Sequence, residues 1–216
     1  DVRAVGDRSS HEFLVAELAA ARADDAVLSE EAADDRSRLA ADRVWIVDPL
    51  DGTREYGEPG RTDWAVHVAL WERGELTAGA VALPAQGQVL STAEVPAVPA
   101  AAAGRIRIAV SRSRAPLLVT KIAELVDGEL MQLGSAGAKA AAVMLGQVDA
   151  YVHAGGQYEW DSAAPVVVAR AAGLHTSRID GAPLRYNQPD PLLPDLVVCR
   201  PELAETLLNA LARIDR

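Results

Sequence analysis

The stretch Trp45-Ile46-Val47-Asp48-Pro49-Leu50-Asp51-Gly52-Thr53 decides how the chain is read. Its first three residues form an apolar, β-branched run, the pattern of a buried strand. Proline removes a ladder donor and restricts the residue before it, so the strand is expected to stop at Asp48-Pro49. Asp48 and Asp51 then flank Leu50 in a tight turn, and the Leu50 carbonyl is free to point the same way. Two carboxylates and a carbonyl make an all-oxygen donor set, which suits a hard cation such as magnesium better than zinc or copper. Gly52-Thr53 adds a turn at which backbone N–H groups can approach an anion. Taken alone, Asp51-Gly52 also reads as an ordinary turn closing a core strand.

Two further segments bear on the choice. Val27-Leu28-Ser29-Glu30-Glu31 is a short apolar run ending in a Glu pair, and Glu159-Trp160-Asp161-Ser162-Ala163-Ala164-Pro165 sets an acid at a helix start. With D-P-[IL]-D-G-[ST] after an apolar strand, these segments resemble, in order, the signatures of the magnesium-dependent, lithium-sensitive phosphomonoesterases of the inositol monophosphatase superfamily. That superfamily also holds fructose-1,6-bisphosphatases and the CysQ-type 3′(2′),5′-bisphosphate nucleotidases. The resemblance implies a layered α-β-α-β-α sandwich, mixing α+β and α/β character. It also implies that a long helix precedes Asp1.

Composition bounds the partners. The chain has 216 residues, half of them hydrophobic, enough for a sizeable core. A net charge of −10 argues against a nucleic-acid polymer or an anionic membrane as partner. A small anionic substrate remains compatible, because carboxylates filled with cations become a positive site. No signal peptide or membrane-length apolar run is evident, so a cytoplasmic protein is expected. Cys199 is a single cysteine in an apolar run and reads as a buried core thiol.

Along the chain, Ser9 or Ser10 is expected to cap a helix with an apolar stripe of Phe13, Leu14 and Leu18. Ala26–Ser29 is a short strand. Residues 34–43 are charged, loop-like or weakly helical, and expected to be mobile. Residues 64–71 alternate with period two, followed by strands at 76–83 and 88–92. His67 sits alone in its strand without another histidine at ligand spacing, so it is expected to be structural. The Ala- and Pro-rich stretch 94–104 divides an N-terminal lobe, 1–104, from a C-terminal α/β lobe, 105–216.

The resemblance implies site roles residue by residue. Glu30, Asp48, the Leu50 carbonyl, Asp51 and Asp161 are the expected ligands of two to three magnesium ions, two of them about 3.5–4 Å apart. Thr53 is expected to orient the attacking water, with Asp7 or Glu31 behind it. Asp7 reads equally as a helix cap, and Glu31 as a residue that only positions Glu30. The Gly52 and Thr53 amides are expected on the phosphoryl oxygens. Gly134-Ser135 with Lys139 is similar to the G-S-x-x-K segment of the bisphosphate nucleotidases, one residue longer. A point charge there suits a second phosphate, although a surface-helix lysine is the plainer alternative. Ser111, Arg112 and Arg185 are further candidate substrate contacts, and Ser111-Arg112-Ser113-Arg114 is otherwise a solvated loop. His153 stands where nucleotidases often carry an arginine. The implied activity is hydrolysis of the 3′-phosphate of 3′-phosphoadenosine 5′-phosphate in sulfur assimilation, with inositol phosphate or fructose 1,6-bisphosphate as alternatives. A homodimer is compatible with the family.

Overall fold

Apolar runs, alternating with polar residues in the first half of the chain and more continuous in the second, build the two sheets of this protein, seen in a computed structural model that describes residues 1–113 and 115–214. Arg114 of the basic run therefore lies outside the described residues. Helix α1, Val2–Ala21, is followed by strands β1, Ala26–Ser29, and β2, Arg43–Asp51. The short helix α2, Thr53–Tyr56, leads to β3, Ala65–Glu72, β4, Glu75–Leu83, and β5, Gln88–Ser91. These five strands form one sheet in chain order, with β1 parallel to β2 and antiparallel pairs thereafter.

After an irregular stretch come β6, Arg107–Ser111, α3, Leu117–Leu125, β7, Glu129–Leu133, and α4, Ala136–Met144. Then follow β8, Ala150–Tyr158, α5, Glu159–Ala171, β9, His175–Ser177, β10, Leu192–Cys199, and α6, Ala204–Ile214. The second sheet runs β7-β6-β8-β10-β9, parallel across β7, β6 and β8 and antiparallel at β10. Helices α4 and α5 lie between the sheets, α1 packs on β2 outside, and α3 with α6 closes the far face. This is the expected α-β-α-β-α layering.

Both faces of the second sheet are buried, which its strands reflect by lacking a polar side. Tyr151, Leu196 and Val198 face the inter-sheet core with Val44, Ile46, Ala164 and Val168. Val152, Val197 and Cys199 face a second core with Val119, Ile122, Leu207 and Leu211. Alanine suits α4, all nine residues of which are buried, because small side chains let a helix fit between two sheets.

Three local expectations are corrected. The first helix starts at Val2, capped by Asp1, so Ser9 and Ser10 lie within it; the Ser10 hydroxyl instead donates to the Pro49 carbonyl at 2.7 Å. Phe13 is 63% exposed, and the buried residue of α1 is Asp7. Second, β2 does not stop at Asp48-Pro49. It continues to Asp51 because Pro49 lies past the end of β1 and within an irregular step of the β2–β3 ladder, where its missing N–H costs no regular bond. Third, residues 36–40 form a 3₁₀ turn anchored by a fully buried arginine. Arg38 donates to Asp34, to Asn187 Oδ1 at 2.6 Å and to the Gln188 carbonyl at 2.9 Å.

The irregularity in β2 positions the site. Asp48 pairs with His67 and Asp51 with Ala65, so three steps on β2 oppose two on β3. An odd separation would send the two carboxylates to opposite faces of a regular strand. The one extra residue brings both to the same face.

At the opposite end of the second sheet, Asp149 ties three strands together. It accepts bonds from the Arg107 amide and Nε, at 2.9 and 3.0 Å, and from Arg200 Nε at 3.1 Å. Burial pushes its carboxyl up, but the bonds from Arg107 and Arg200 outweigh this and hold it below the usual carboxylate range. Asp149→Ala should therefore lower the unfolding free energy by about 3–5 kcal/mol, read from urea melts, because it strands buried Arg200. Since the folded value lies below the unfolded one near ~3.9, the stabilisation is present above that pH and fades as pH falls through the folded value.

Candidate metal centre

One oxygen from each of Asp48, Asp51 and Asp161 lies within 4.8 Å of the others. Asp48 is 1% exposed and Asp51 6%. Asp161 arrives from α5, where it closes a capping box by accepting the Tyr158 amide at 2.6 Å. Asp51 reaches across to the start of α4, accepting from the Ala136 amide at 3.2 Å and from the Gly137 amide. Both acids thus sit at helix N-termini, where the dipole favours negative charge. Asp48 is held by the Leu50 amide at 3.0 Å.

The electrostatics mark a site lacking positive charge. Desolvation pushes Asp48 well above the carboxylate range, with the charges of Asp51, Glu30 and Asp161 adding to it. Asp161 is pushed up to about 7, by desolvation first and Asp51 next. Glu30 is raised by desolvation and by Asp7, Asp51 and Glu31, and it bonds Asp48 side chain to side chain, although the residue opens to solvent. Among the described residues, the basic side chain within 4.0 Å of Asp48 and Asp51 is His67. An all-oxygen set of crowded carboxylates fits a hard divalent cation.

Around this centre, Gly52 takes φ 87°, a left-handed turn, and an added Cβ would meet the Ser135 side chain at 2.7 Å. The Thr53 hydroxyl donates to the Leu50 carbonyl at 3.1 Å. Asp7 lies beside Thr53; burial and the Glu31 charge raise its carboxyl, with the Thr53 side chain pulling it down in part, and one buried oxygen has no partner. That excludes the helix-cap role weighed for Asp7, whose helix starts earlier. Glu31 stands exposed in the turn after β1.

Beyond the acids lies a cavity of about 590 Å³ lined by Ser111, Pro116, Leu117, Lys139, Tyr151 and His153, among others. Lys139 is no surface lysine: it is 5% exposed, donates to the Gly134 carbonyl, and lies 5.3 Å from the Tyr151 ring centroid. Burial pushes its ammonium down, while Asp51, Glu55, Asp161 and Asp63 pull it back up. His153 is lowered by burial, partly offset by a backbone bond to Gly156. Ser135 caps α4 by accepting from the Ala138 amide at 3.0 Å, and the Gly134 amide is spent on Asp63 at 2.6 Å. Arg112 is clamped by Glu55 and Glu58 at 2.7 and 2.5 Å. Arg185 lines surface grooves with Pro183 and Leu184, or with Arg178 and Leu193, and not the Lys139 cavity. Sequence reasoning passed over Glu55, Glu58 and Asp63, which carry no spacing signal. It also passed over the contacts of His67, for which a lone polar residue on the buried face of a strand was the available sign.

Because folded Asp161, Asp48 and Glu30 keep protons that the unfolded chain has lost, stability without metal should fall as pH rises from about 4 through 7. Melts in chelator should show a falling Tm over that window. Asp48→Asn should flatten the slope and raise the Tm at pH 8, since it removes one of the like charges.

Three comparisons bear on identity. The inositol monophosphatase family model matches residues 1–216. A protein of Mycobacterium bovis named 3′-phosphoadenosine 5′-phosphate phosphatase is 57% identical over 215 residues, covering 96% of this chain and 80% of its own length. The 3′(2′),5′-bisphosphate nucleotidase CysQ of Escherichia coli is 33% identical over 192 residues, covering 83% of this chain and 77% of its own. The crystal structure of CysQ from Bacteroides thetaiotaomicron superposes with TM-score 0.76 at 30% identity, over 90% of this chain and 83% of that one. With the family model spanning residues 1–216 and a relative 57% identical over most of both chains, the chain belongs to the inositol monophosphatase family.

Proposed function

We propose that the protein is a magnesium-dependent phosphomonoesterase that converts 3′-phosphoadenosine 5′-phosphate and water to AMP and inorganic phosphate. The observation that carries the nucleotide assignment is Lys139. It is a buried cation on the wall shared by the acidic centre and the 590 Å³ cavity, within the field of Asp51 and Asp161. A substrate with its reacting phosphate at the acids can reach Lys139 with a second phosphate, while its base fills the cavity. The names borne by the mycobacterial and CysQ relatives support the same substrate.

Asp48, Asp51 and Asp161 would hold the cations, two to three in number, with Glu30 and the Leu50 carbonyl at the margin. Magnesium, when bound, supplies positive charge against the oxygens of the transferring phosphoryl group. Thr53 orients the attacking water: its proton is given to the Leu50 carbonyl, so its lone pairs can accept from water. Asp7, raised by burial and with one oxygen unpartnered, takes the proton the water loses. The water oxygen bonds to phosphorus in line as the bond to the 3′-oxygen breaks, without a phosphoenzyme. The leaving oxygen takes its proton from solvent. Gly52 and Thr53 present amides to the phosphoryl oxygens, at a turn too close to Ser135 for any side chain at 52.

Lys139→Ala should cost 3′-phosphoadenosine 5′-phosphate a charge-assisted contact, roughly 1.5–3 kcal/mol or about 10- to 150-fold in kcat/KM. Hydrolysis of 3′-AMP, which has no second phosphate, should hardly change. Equal losses on both substrates would defeat the assignment. Thr53→Ala should lower kcat far more than it raises KM, because orienting the water matters in the transition state; steady-state kinetics with phosphate release checks this.

A further inference from the structure

The imidazole of His67 touches more of the centre than its place in β3 suggests. Its residue is fully buried, and in the β2–β3 register it stands directly opposite Asp48. Nδ1 lies 3.0 Å from the Trp160 carbonyl, on the residue before Asp161. Nε2 lies 3.3 Å from Asp51 Oδ2, and Nδ1 lies 4.0 Å from Asp48 Oδ2. Nε2 closes no hydrogen bond, so a buried polar atom is left aimed at a carboxylate. The start of α4 is shaped around the ring as well. A Cβ on Gly137 would fall 2.0 Å from Nε2, so only glycine fits there, and the same residue donates its amide to Asp51.

Four elements therefore meet on one side chain: β2 through Asp48 and Asp51, β3, α4 through Gly137, and α5 through Trp160. A packing residue on this face needs no polar edge; the neighbouring inward positions of β3 are Ala65 and Ala69. A histidine here leaves one nitrogen unsatisfied, which costs stability unless the nitrogen has work to do. Outer-shell partners of metal-binding carboxylates fix the orientation of those ligands and typically change metal affinity 10- to 100-fold when removed.

We infer that His67 is a positioning residue of the metal centre: its ring, set by the contact of Nδ1 with the Trp160 carbonyl, places Nε2 against Asp51 Oδ2 and so ties the placement of Asp51 to that of Asp161 at one cation site. The inference rests on the magnesium assignment above. Asp51 comes from the first sheet and Asp161 from a helix between the sheets. His67 is the side chain in contact with both arms.

The test is calorimetric titration of MgCl₂ into the metal-stripped wild-type protein, His67→Asn and His67→Leu, with circular dichroism and thermal melts of each. Leucine keeps apolar volume and loses both contacts. Asparagine can still donate to the Trp160 carbonyl but cannot reach Asp51. The wild type should bind magnesium, leucine should weaken Kd by about 10- to 100-fold, and asparagine should fall between them while melting near the wild type. A purely structural role would lower the Tm of the variants and leave Kd where it was, which would overturn the inference. Wild-type affinity in His67→Asn alone would overturn the Asp51 arm even if His67→Leu fails to fold. Absence of magnesium binding in the wild type would instead overturn the metal assignment itself, and the inference with it.

Discussion

Two buried carboxylates and a half-buried third on one spot repel one another, and much of this molecule is arranged around that repulsion. Asp48, Asp51 and Asp161 share a space of under 5 Å with little countercharge. In isolation such a cluster would protonate or splay apart. Here the backbone denies the second escape. Asp48 is fixed by its own turn through the Leu50 amide, Asp51 by two amides at the head of α4, and Asp161 by the Tyr158 amide at the head of α5. Two helix dipoles point their positive ends at the acids, which lowers the cost of the arrangement without removing it. The remaining cost appears as raised proton affinity, and a bound divalent cation would offset it.

The same cluster explains a second oddity, the burial of a lysine. Lys139 would lose its charge readily in an apolar wall, but Asp51, Glu55, Asp161 and Asp63 hold it up. Lys139 and the acids of the centre are thus electrostatically one unit. Replacing any one of them alters the others, so single substitutions there are not expected to be additive.

Much of this was legible in the chain. The alternating runs gave the strands of the first sheet within a few residues, because a one-sided buried face enforces period two. Cys199 as a core thiol was readable from local chemistry. The departures share a cause. Pro49 was taken to end β2, yet β1 had already ended and no bond was lost. Charged Arg38 was read as part of a mobile segment, yet Asp34, Asn187 and Gln188 satisfy its guanidinium in the interior. In each case a distant segment changed the meaning of a local signal.

What the sequence by itself determined was the donor chemistry: which oxygens are available, that those of Asp48, Leu50 and Asp51 suit a hard cation, and that a further acid stands at a helix start. What only the tertiary structure decided was their convergence. Asp48 and Asp51 are three apart, and a regular strand would put them on opposite faces. Pairing against β3 inserts one extra residue and turns both inward. The helix that brings Asp161, the buried setting of Lys139, and the contacts of His67 with both arms likewise exist only once residues far apart in the chain are packed together. Ligand type is a property of single residues, whereas charge crowding and register are properties of neighbours, and neighbours are set by folding.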